Sequence, residues 1–175
     1  MDLSIDDSRK ADIVEAMLLR GGDKDCLFKS LAQDYVKDMQ GDLSQDYIEC
    51  GGLLWARDNI EVDGKRHYTF DEASECGAPT KAELEAFIER TYYGFDKIRK
   101  VGIFVDRETG VRLELPANGS LVSREIMTGA GIGGFYWSTT QGGKTEAYGL
   151  YFSKSTVVVS RFPKTYGLSV RCVRR

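Results

Sequence analysis

The stretch that decides the fold lies near the C-terminal end, where residues 134–140 read GFYWSTT, residues 147–152 read AYGLYF and residues 168–173 read LSVRCV. Between them, residues 156–160 place Val157 and Val159 in alternation with Thr156, Val158 and Ser160. Alternation with a period of two predicts strands that have one buried and one exposed face. Glycines separate these runs, so we predict strands and turns from about residue 129 onward.

The preceding region, from about residue 47 to residue 128, predicts a mixture of elements. Residues 53–55 (LLW) and 67–70 (HYTF) are candidate short strands. The sequence TKAE at 80–83 is a capping box that opens a helix, with Leu84, Phe87 and Ile88 on one face. Two alternating runs flank the turn at 106–110 and predict a β-hairpin.

Residues 1–45 have the pattern of two short helices. Ile13, Val14, Met17 and Leu18 share one helical face, and the glycine pair at 21–22 ends the first helix. Leu27, Leu31 and Tyr35 recur at a helical spacing in the second helix. We therefore predict a helical hairpin as an N-terminal appendage.

Composition excludes several classes of protein. A chain of 175 residues with 42% hydrophobic and 29% charged residues suits one domain, with or without a small appendage. It contains a single histidine, His67, which excludes two-histidine metal sites and argues against most histidine-dependent catalytic triads. Its four cysteines are widely separated and form no CxxC pair, so no zinc ribbon is indicated.

Charge is distributed unevenly along the chain. Residues 1–50 hold 6 Lys/Arg against 12 Asp/Glu, and residues 51–128 hold 11 against 14. Residues 129–175 hold 7 against 1, a net charge of +6. The same segment is rich in aromatic residues and glycine, which suits either a recognition surface or an ordinary aromatic sheet with glycine turns.

Several segments, in order, resemble the Fibrobacter-type major paralogous domain (FISUMP). They are LWA at 54–56, YTFDEA at 68–73, PTKAEL at 79–84 and the C-terminal run from Gly134 to Val173. The resemblance covers roughly residues 50–175. It implies a C-type lectin-like fold, which is shared with formylglycine-generating enzymes and with the variable proteins of diversity-generating retroelements.

On this basis we predict an α+β protein with two parts. Residues 46–175 are expected to form a C-type lectin-like domain with antiparallel sheets and one capped helix, and residues 1–45 the helical appendage. The resemblance also implies a disulfide between Cys76 and Cys172, because some members of the family carry paired cysteines there. Two reduced thiols are the alternative, favoured by the lack of a recognisable export signal.

The resemblance implies a ligand-binding module, because exposed side chains near the C-terminus of the diversified members vary on a fixed scaffold. The residues support this independently, since core strands do not need a mixture of aromatic, hydroxyl and cationic groups. The alternative is a solvent-facing sheet edge. The predicted ligand-binding residues are Tyr151, Ser153, Lys154, Thr156, Val158, Ser160, Arg161, Phe162, Lys164 and Tyr166.

We predict no catalytic residue, no metal site and no cofactor. The EPN, QPD and WND motifs of calcium-dependent lectins are absent, and WSTT at 137–140 offers hydroxyls instead of the carboxylates that Ca²⁺ prefers. Formylglycine-type chemistry needs neighbouring reactive thiols near the C-terminus, where only Cys172 lies.

The predicted partner is a macromolecule, protein or glycan, in a phage receptor-binding, surface-display or adhesion setting. The net charge of +6 favours an acidic partner, and the dispersed basic residues do not predict nucleic-acid binding. The alternative function is a structural subunit, for decoration or oligomerisation, that forms a homo-oligomer through the N-terminal helices. No transmembrane run or signal peptide is recognisable, so we expect a cytoplasmic protein on synthesis, and virion association or surface display would fit.

Overall fold

The computed structural model describes residues 46–123 and 126–175. The chain divides into two compact units, Met1–Gly41 and Asp42–Arg175, and the described residues all belong to the second unit. The predicted helical hairpin at 1–45 lies outside the described residues.

The predicted fold class is wrong. The protein is mainly β, with 51% strand and 12% helix, instead of the expected α+β protein with a C-type lectin-like architecture. Two helices begin and end within the described residues, and they contain only four and ten residues. The remaining order comes from four small antiparallel sheets, because aromatic and β-branched residues dominate most segments between the turns.

Eleven strands make up these sheets in the described part of the chain. In sheet order, the first contains β1 (Tyr47–Cys50), β2 (Leu53–Ala56) and β11 (Val173–Arg174); the second β3 (Thr91–Asp96), β4 (Val101–Asp106) and β5 (Arg112–Pro116); the third β6 (Ser120–Ser123) and β7 (Ile126–Thr128); and the fourth β10 (Val157–Pro163), β9 (Glu146–Ser153) and β8 (Gly133–Gln141).

The first sheet joins the two ends of the described unit. Trp55 of β2 pairs with Ile48 of β1 on one side and with Val173 of β11 on the other. The strand predicted at 168–173 is therefore shorter than expected. Before β11, Leu168 makes a single bridge to Tyr68.

Both helices begin at a capping box. In α2 (Lys81–Arg90), Glu83 donates its main-chain N–H to the Thr80 hydroxyl, while its carboxylate accepts the Thr80 N–H at 2.7 Å. The predicted capping box at 80–83 is thus confirmed. The strand predicted at 67–70 is wrong, because Phe70 begins α1 (Phe70–Ala73) and the Glu72 carboxylate accepts the Thr69 N–H at 2.8 Å.

The core lies where α2 packs against three of the sheets. Phe87 of α2 contacts Trp55 and Phe104, with ring centroids 4.8 and 4.9 Å apart, and Phe104 meets Phe152 of β9 at 5.9 Å. The predicted hairpin around 106–110 is confirmed as β4 and β5, and it supplies buried Leu113 to this cluster. Among the described residues, no helix has the length and apolar character needed to cross a membrane.

Candidate binding face on the C-terminal sheet

The sheet formed by β8, β9 and β10 has two chemically different faces. Leu150 and Phe152 of β9 point into the core, and Val157 and Val159 of β10 pack against the same cluster. Because side chains alternate along a strand, Gly149 and Tyr151 with their β10 partners belong to the opposite face. Across the β9–β10 ladder, Tyr151 is paired with Val158, Gly149 with Ser160 and Ala147 with Phe162.

An aromatic cluster occupies this opposite face. The Phe135 ring of β8 lies 4.8 Å from Tyr151 and 5.7 Å from Phe162, measured between centroids. Val158 beside it is 42% exposed, and the three aromatic rings are half-buried. We call this surface the outer face and define it by Phe135, Tyr151, Val158, Ser160 and Phe162.

Glycine makes room for the cluster at the centre of the sheet. A Cβ added at Gly149 would lie 2.5 Å from the carbonyl oxygen of Tyr136 and 3.3 Å from the Phe162 ring. The Phe162 ring therefore sits over Gly149, where a larger residue would displace it.

Helix α1 covers one end of the outer face. Its Phe70 contacts the ring of buried Trp137 at 5.5 Å, and Trp137 donates its indole N–H to the carbonyl of Tyr68 at 2.6 Å. Trp137 is consequently part of the scaffold, and the Val158 side of the face is its more accessible part.

The structure separates the ten predicted binding residues into groups. Tyr151, Val158, Ser160 and Phe162 lie together on the outer face, while Ser153, Lys154 and Thr156 lie at the β9–β10 turn. The other three lie away from the face centre: Arg161 is exposed and its register follows that of Tyr148 toward the other side of the sheet, and Lys164 and Tyr166 follow β10.

Two of these outlying residues have partners within the protein. Arg161 lies 3.8 Å from the Glu146 carboxylate. Lys164 donates to the Gln141 side chain at 3.0 Å, and its ammonium lies 5.5 Å from the centre of the Phe70 ring. Lys164 thus helps to hold α1 against the sheet.

Phe135 belongs to the face but was missed from the sequence. Its signal was the GFYW run, in which Phe135 and Trp137 share one side of a strand. We had assigned that segment to the scaffold because it follows a glycine-rich loop.

A pair of lysines lies at the turn end of the sheet. Hydrogen bonding to the Lys154 side chain and repulsion from its charge lower the pKa of the Lys97 ammonium, so the two groups are close neighbours. The Tyr93 hydroxyl donates to the carbonyl of Ser153 at 2.5 Å and ties β3 to this turn. Lys97 was also missed, because its proximity to Lys154 depends on the packing of two separate turns.

The structure contains no bond between Cys76 and Cys172. The Cys172 thiol donates to the main-chain carbonyl of Cys76 at 2.5 Å, and burial raises the pKa of Cys172 to about 12. His67 is buried, with Nε2 3.0 Å from the Asn118 carbonyl. Over residues 46–123 and 126–175, no three His, Cys, Asp or Glu side chains come together as a metal-binding group.

Residues 104–173 match a family described as a domain of unknown function (DUF8237). The matched segment begins within β4 and includes the whole β8–β9–β10 sheet. No curated protein and no solved structure matches the chain.

Proposed function

We propose that this protein is a non-enzymatic binding module whose outer face recognises a macromolecular partner, a protein or a glycan. The observation that carries the proposal is the half-buried cluster of Phe135, Tyr151 and Phe162 beside exposed Val158, on the side of the sheet that faces away from the core. Aromatic side chains provide a large contact area at a low cost in conformational entropy, which is why binding surfaces are enriched in them.

The backbone beneath the face supports this role. Seven residue pairs join β9 to β10, and β9 also pairs with β8 along its length. A surface that is ordered before binding loses less conformational freedom when it meets a partner. Side chains on such a face can also be replaced without disturbing the core behind it.

Charge at the turn end favours an acidic partner. Lys97 and Lys154 repel each other across the two turns, and a carboxylate, sulfate or phosphate group between them would relieve that repulsion. Association would then weaken with added salt, because both groups are exposed. This matches the net charge of +6 over residues 129–175.

The resemblance to FISUMP and to the variable proteins of diversity-generating retroelements stays a prediction. It is consistent with the proposal, because in those proteins a fixed sheet presents exchangeable side chains.

The test is a comparison of binding and stability for matched tyrosine variants. The protein is applied to an array of defined glycans and to immobilised proteins of acidic and basic net charge. We expect Tyr151→Ala to lose at least about tenfold in affinity for whatever the parent binds, with its melting temperature nearly unchanged. Tyr92, a 60% exposed tyrosine on β3, supplies the control, and Tyr92→Ala should bind like the parent.

Two outcomes would contradict the proposal. One is equal affinity of Tyr151→Ala and the parent for the bound partner. The other is a collapse of stability in Tyr151→Ala, which would show that the ring serves the core.

A further inference from the structure

A second surface lies at β7, which is an edge strand. Within the described residues β7 pairs with β6 alone, and all three of its residues are exposed. Ile126 is 58% exposed and Met127 is 44% exposed. An edge strand with accessible apolar side chains is a template on which another strand can pair.

A cleft adjoins this edge. It is open, with a volume of about 880 Å³, and Met127, Leu121 and Pro116 contribute apolar surface to its lining. Lys65, Arg66, Arg99 and Lys100 also line it, against a single carboxylate, that of Glu61. Arg66 already binds Glu61 at 2.9 Å. The walls of the cleft are therefore cationic and its lining is partly apolar.

Lys100 is held in an unusual backbone conformation at the cleft. Its φ of +56° lies in the left-handed region, which glycine or asparagine normally occupies in a turn. Its carbonyl accepts the Ala117 N–H at 2.9 Å. A Cβ added at Gly131 would lie 2.9 Å from Cδ of Lys100, so this glycine leaves space for the lysine stem.

No carboxylate pairs with the Lys100 ammonium among the residues that the structure describes. Glycine would suit this backbone position better and would supply no charge. The retained ammonium, aimed into a lined cleft, points to an anionic group on something that binds there.

We propose that the β7 edge and the adjoining cleft bind an extended peptide segment of a partner protein in which acidic and aliphatic residues alternate. The edge supplies main-chain hydrogen bonds, the apolar lining receives the aliphatic side chains, and the cationic walls receive the carboxylates. In an added strand, alternation places each class of side chain on one face. This surface shares no residue with the outer face, so the two proposals are independent.

The cleft favours a peptide over the other anionic occupants. Several of its cations lie in the walls of a concave site, whereas a lipid surface would meet them best on a convex or flat one. A free phosphate would make no use of the unpaired edge of β7.

The experiment measures fluorescence anisotropy of a fluorescein-labelled peptide, GEVEVEVEG, with the full chain. The charge-inverted peptide GKVKVKVKG is the matched control. We expect the acidic peptide to bind at least about tenfold more tightly than the basic one. The acidic peptide N-methylated at alternate residues should also lose binding, because it cannot complete the main-chain pairing.

Lys100→Gly is the decisive variant, because glycine fits the left-handed backbone and the fold is maintained. It should weaken binding of GEVEVEVEG several-fold, while Lys144→Ala, an exposed lysine in another turn, should leave it unchanged. Met127→Asp should weaken it by a similar factor through repulsion. Tyr151→Ala should have no effect, which separates this result from the test of the outer face.

The proposal is overturned by equal affinity for the two peptides, by unchanged binding in Lys100→Gly, or by undiminished binding of the N-methylated peptide. It is also overturned if the protein binds vesicles of 70% phosphatidylcholine and 30% phosphatidylserine, or inorganic phosphate, but not the acidic peptide.

Discussion

The carboxylate of Asp106 accepts a hydrogen bond from the main-chain N–H of Gly51, over 2.7 Å and across 55 positions of the chain. Its other oxygen accepts the N–H groups of Glu108 and Thr109 at 2.8 and 2.9 Å. The single side chain thus orders the β4–β5 turn and fastens it to the β1–β2 turn. Gly51 has a φ of +61°, and a Cβ there would lie 2.5 Å from the Phe87 ring, so the position requires glycine.

These contacts make stability depend on pH. The N–H groups of Thr109, Gly51 and Glu108 lower the pKa of Asp106, because each of them stabilises the ionised form. The resulting stabilisation is fully present above the unfolded-state pKa of about 3.9 and is lost as the pH falls through the lower folded-state pKa. We expect Asp106→Asn to melt at a lower temperature at pH 7 and to show a flatter acid dependence.

Thermal unfolding followed by circular dichroism between about pH 2 and pH 7 measures this difference. Glu108→Gln, in the same turn, is the control and should follow the parent curve. Identical acid dependence in Asp106→Asn and the parent would contradict the assignment.

Gly134 and Gly94 form a matched pair of strand glycines. A Cβ at Gly134 would lie 2.0 Å from the ring of Phe152, a fully buried residue, whereas nothing lies within 4 Å of one at Gly94. We expect Gly134→Ala to lower the free energy of unfolding by about 1–3 kcal/mol through overpacking. Gly94→Ala should change it by less than about 1 kcal/mol. Urea titrations of both variants test this, and equal midpoints would contradict it.

Local patterns were enough to predict several elements. The capping box at 80–83, the hairpin around 106–110 and the alternating strand at 156–160 all rest on interactions between residues close in sequence. The strand at 91–96 was missed, because it follows α2 directly and no turn residue separates the two. At 67–70 the aromatic residues suggested a strand, yet the Thr69–Glu72 capping interaction starts a helix.

The candidate site was harder to predict because it depends on register and on packing between distant segments. Composition drew attention to residues 151–166, but only the pairing of Arg161 with Tyr148 shows that Arg161 follows the other side of the sheet. The neighbouring of Lys97 and Lys154 joins turns that are far apart in the chain. The overall class was wrong because short strands in several small sheets outweigh one well-signalled helix.

Arg171 is buried and its side chain is bound mainly by neutral oxygen atoms. The guanidinium donates to Asn59 Oδ1 at 2.7 Å, to the Ala56 carbonyl at 3.0 Å and to the Arg57 carbonyl. Arg171→Leu leaves these acceptors unsatisfied, so we expect a loss of about 2 kcal/mol or more. Arg175→Leu removes an exposed ion pair with Glu83 and should cost less than about 1 kcal/mol. Chemical denaturation distinguishes the two, and a small effect of Arg171→Leu would contradict this role.

The thiols of Cys172 and Cys50 should react slowly in the folded protein. Burial raises the pKa of Cys172 to about 12 and, together with the nearby Asp106 charge, that of Cys50 to about 11. Because the thiolate is the reactive form, both should resist iodoacetamide at pH 8 until urea is added. Peptide mapping by mass spectrometry measures this. Rapid alkylation of Cys172, or a Cys76–Cys172 linked peptide before reduction, would contradict the thiol arrangement.

The Lys97–Lys154 pair separates stability from recognition. Removing one of two neighbouring like charges relieves repulsion, so Lys154→Gln should melt at the same or a slightly higher temperature than the parent, most visibly at low salt. If the pair serves an acidic partner at the outer face, the same variant should lose affinity for that partner. In about 0.5 M NaCl both differences should shrink, because the charges are exposed.

Lys144→Gln is the control, since Lys144 lies in the turn between β8 and β9 and is equally exposed. A residue whose removal stabilises the free protein but weakens its complex is retained for binding and not for folding. Loss of stability in Lys154→Gln, or unchanged affinity for the partner, would show that these lysines do not act in recognition.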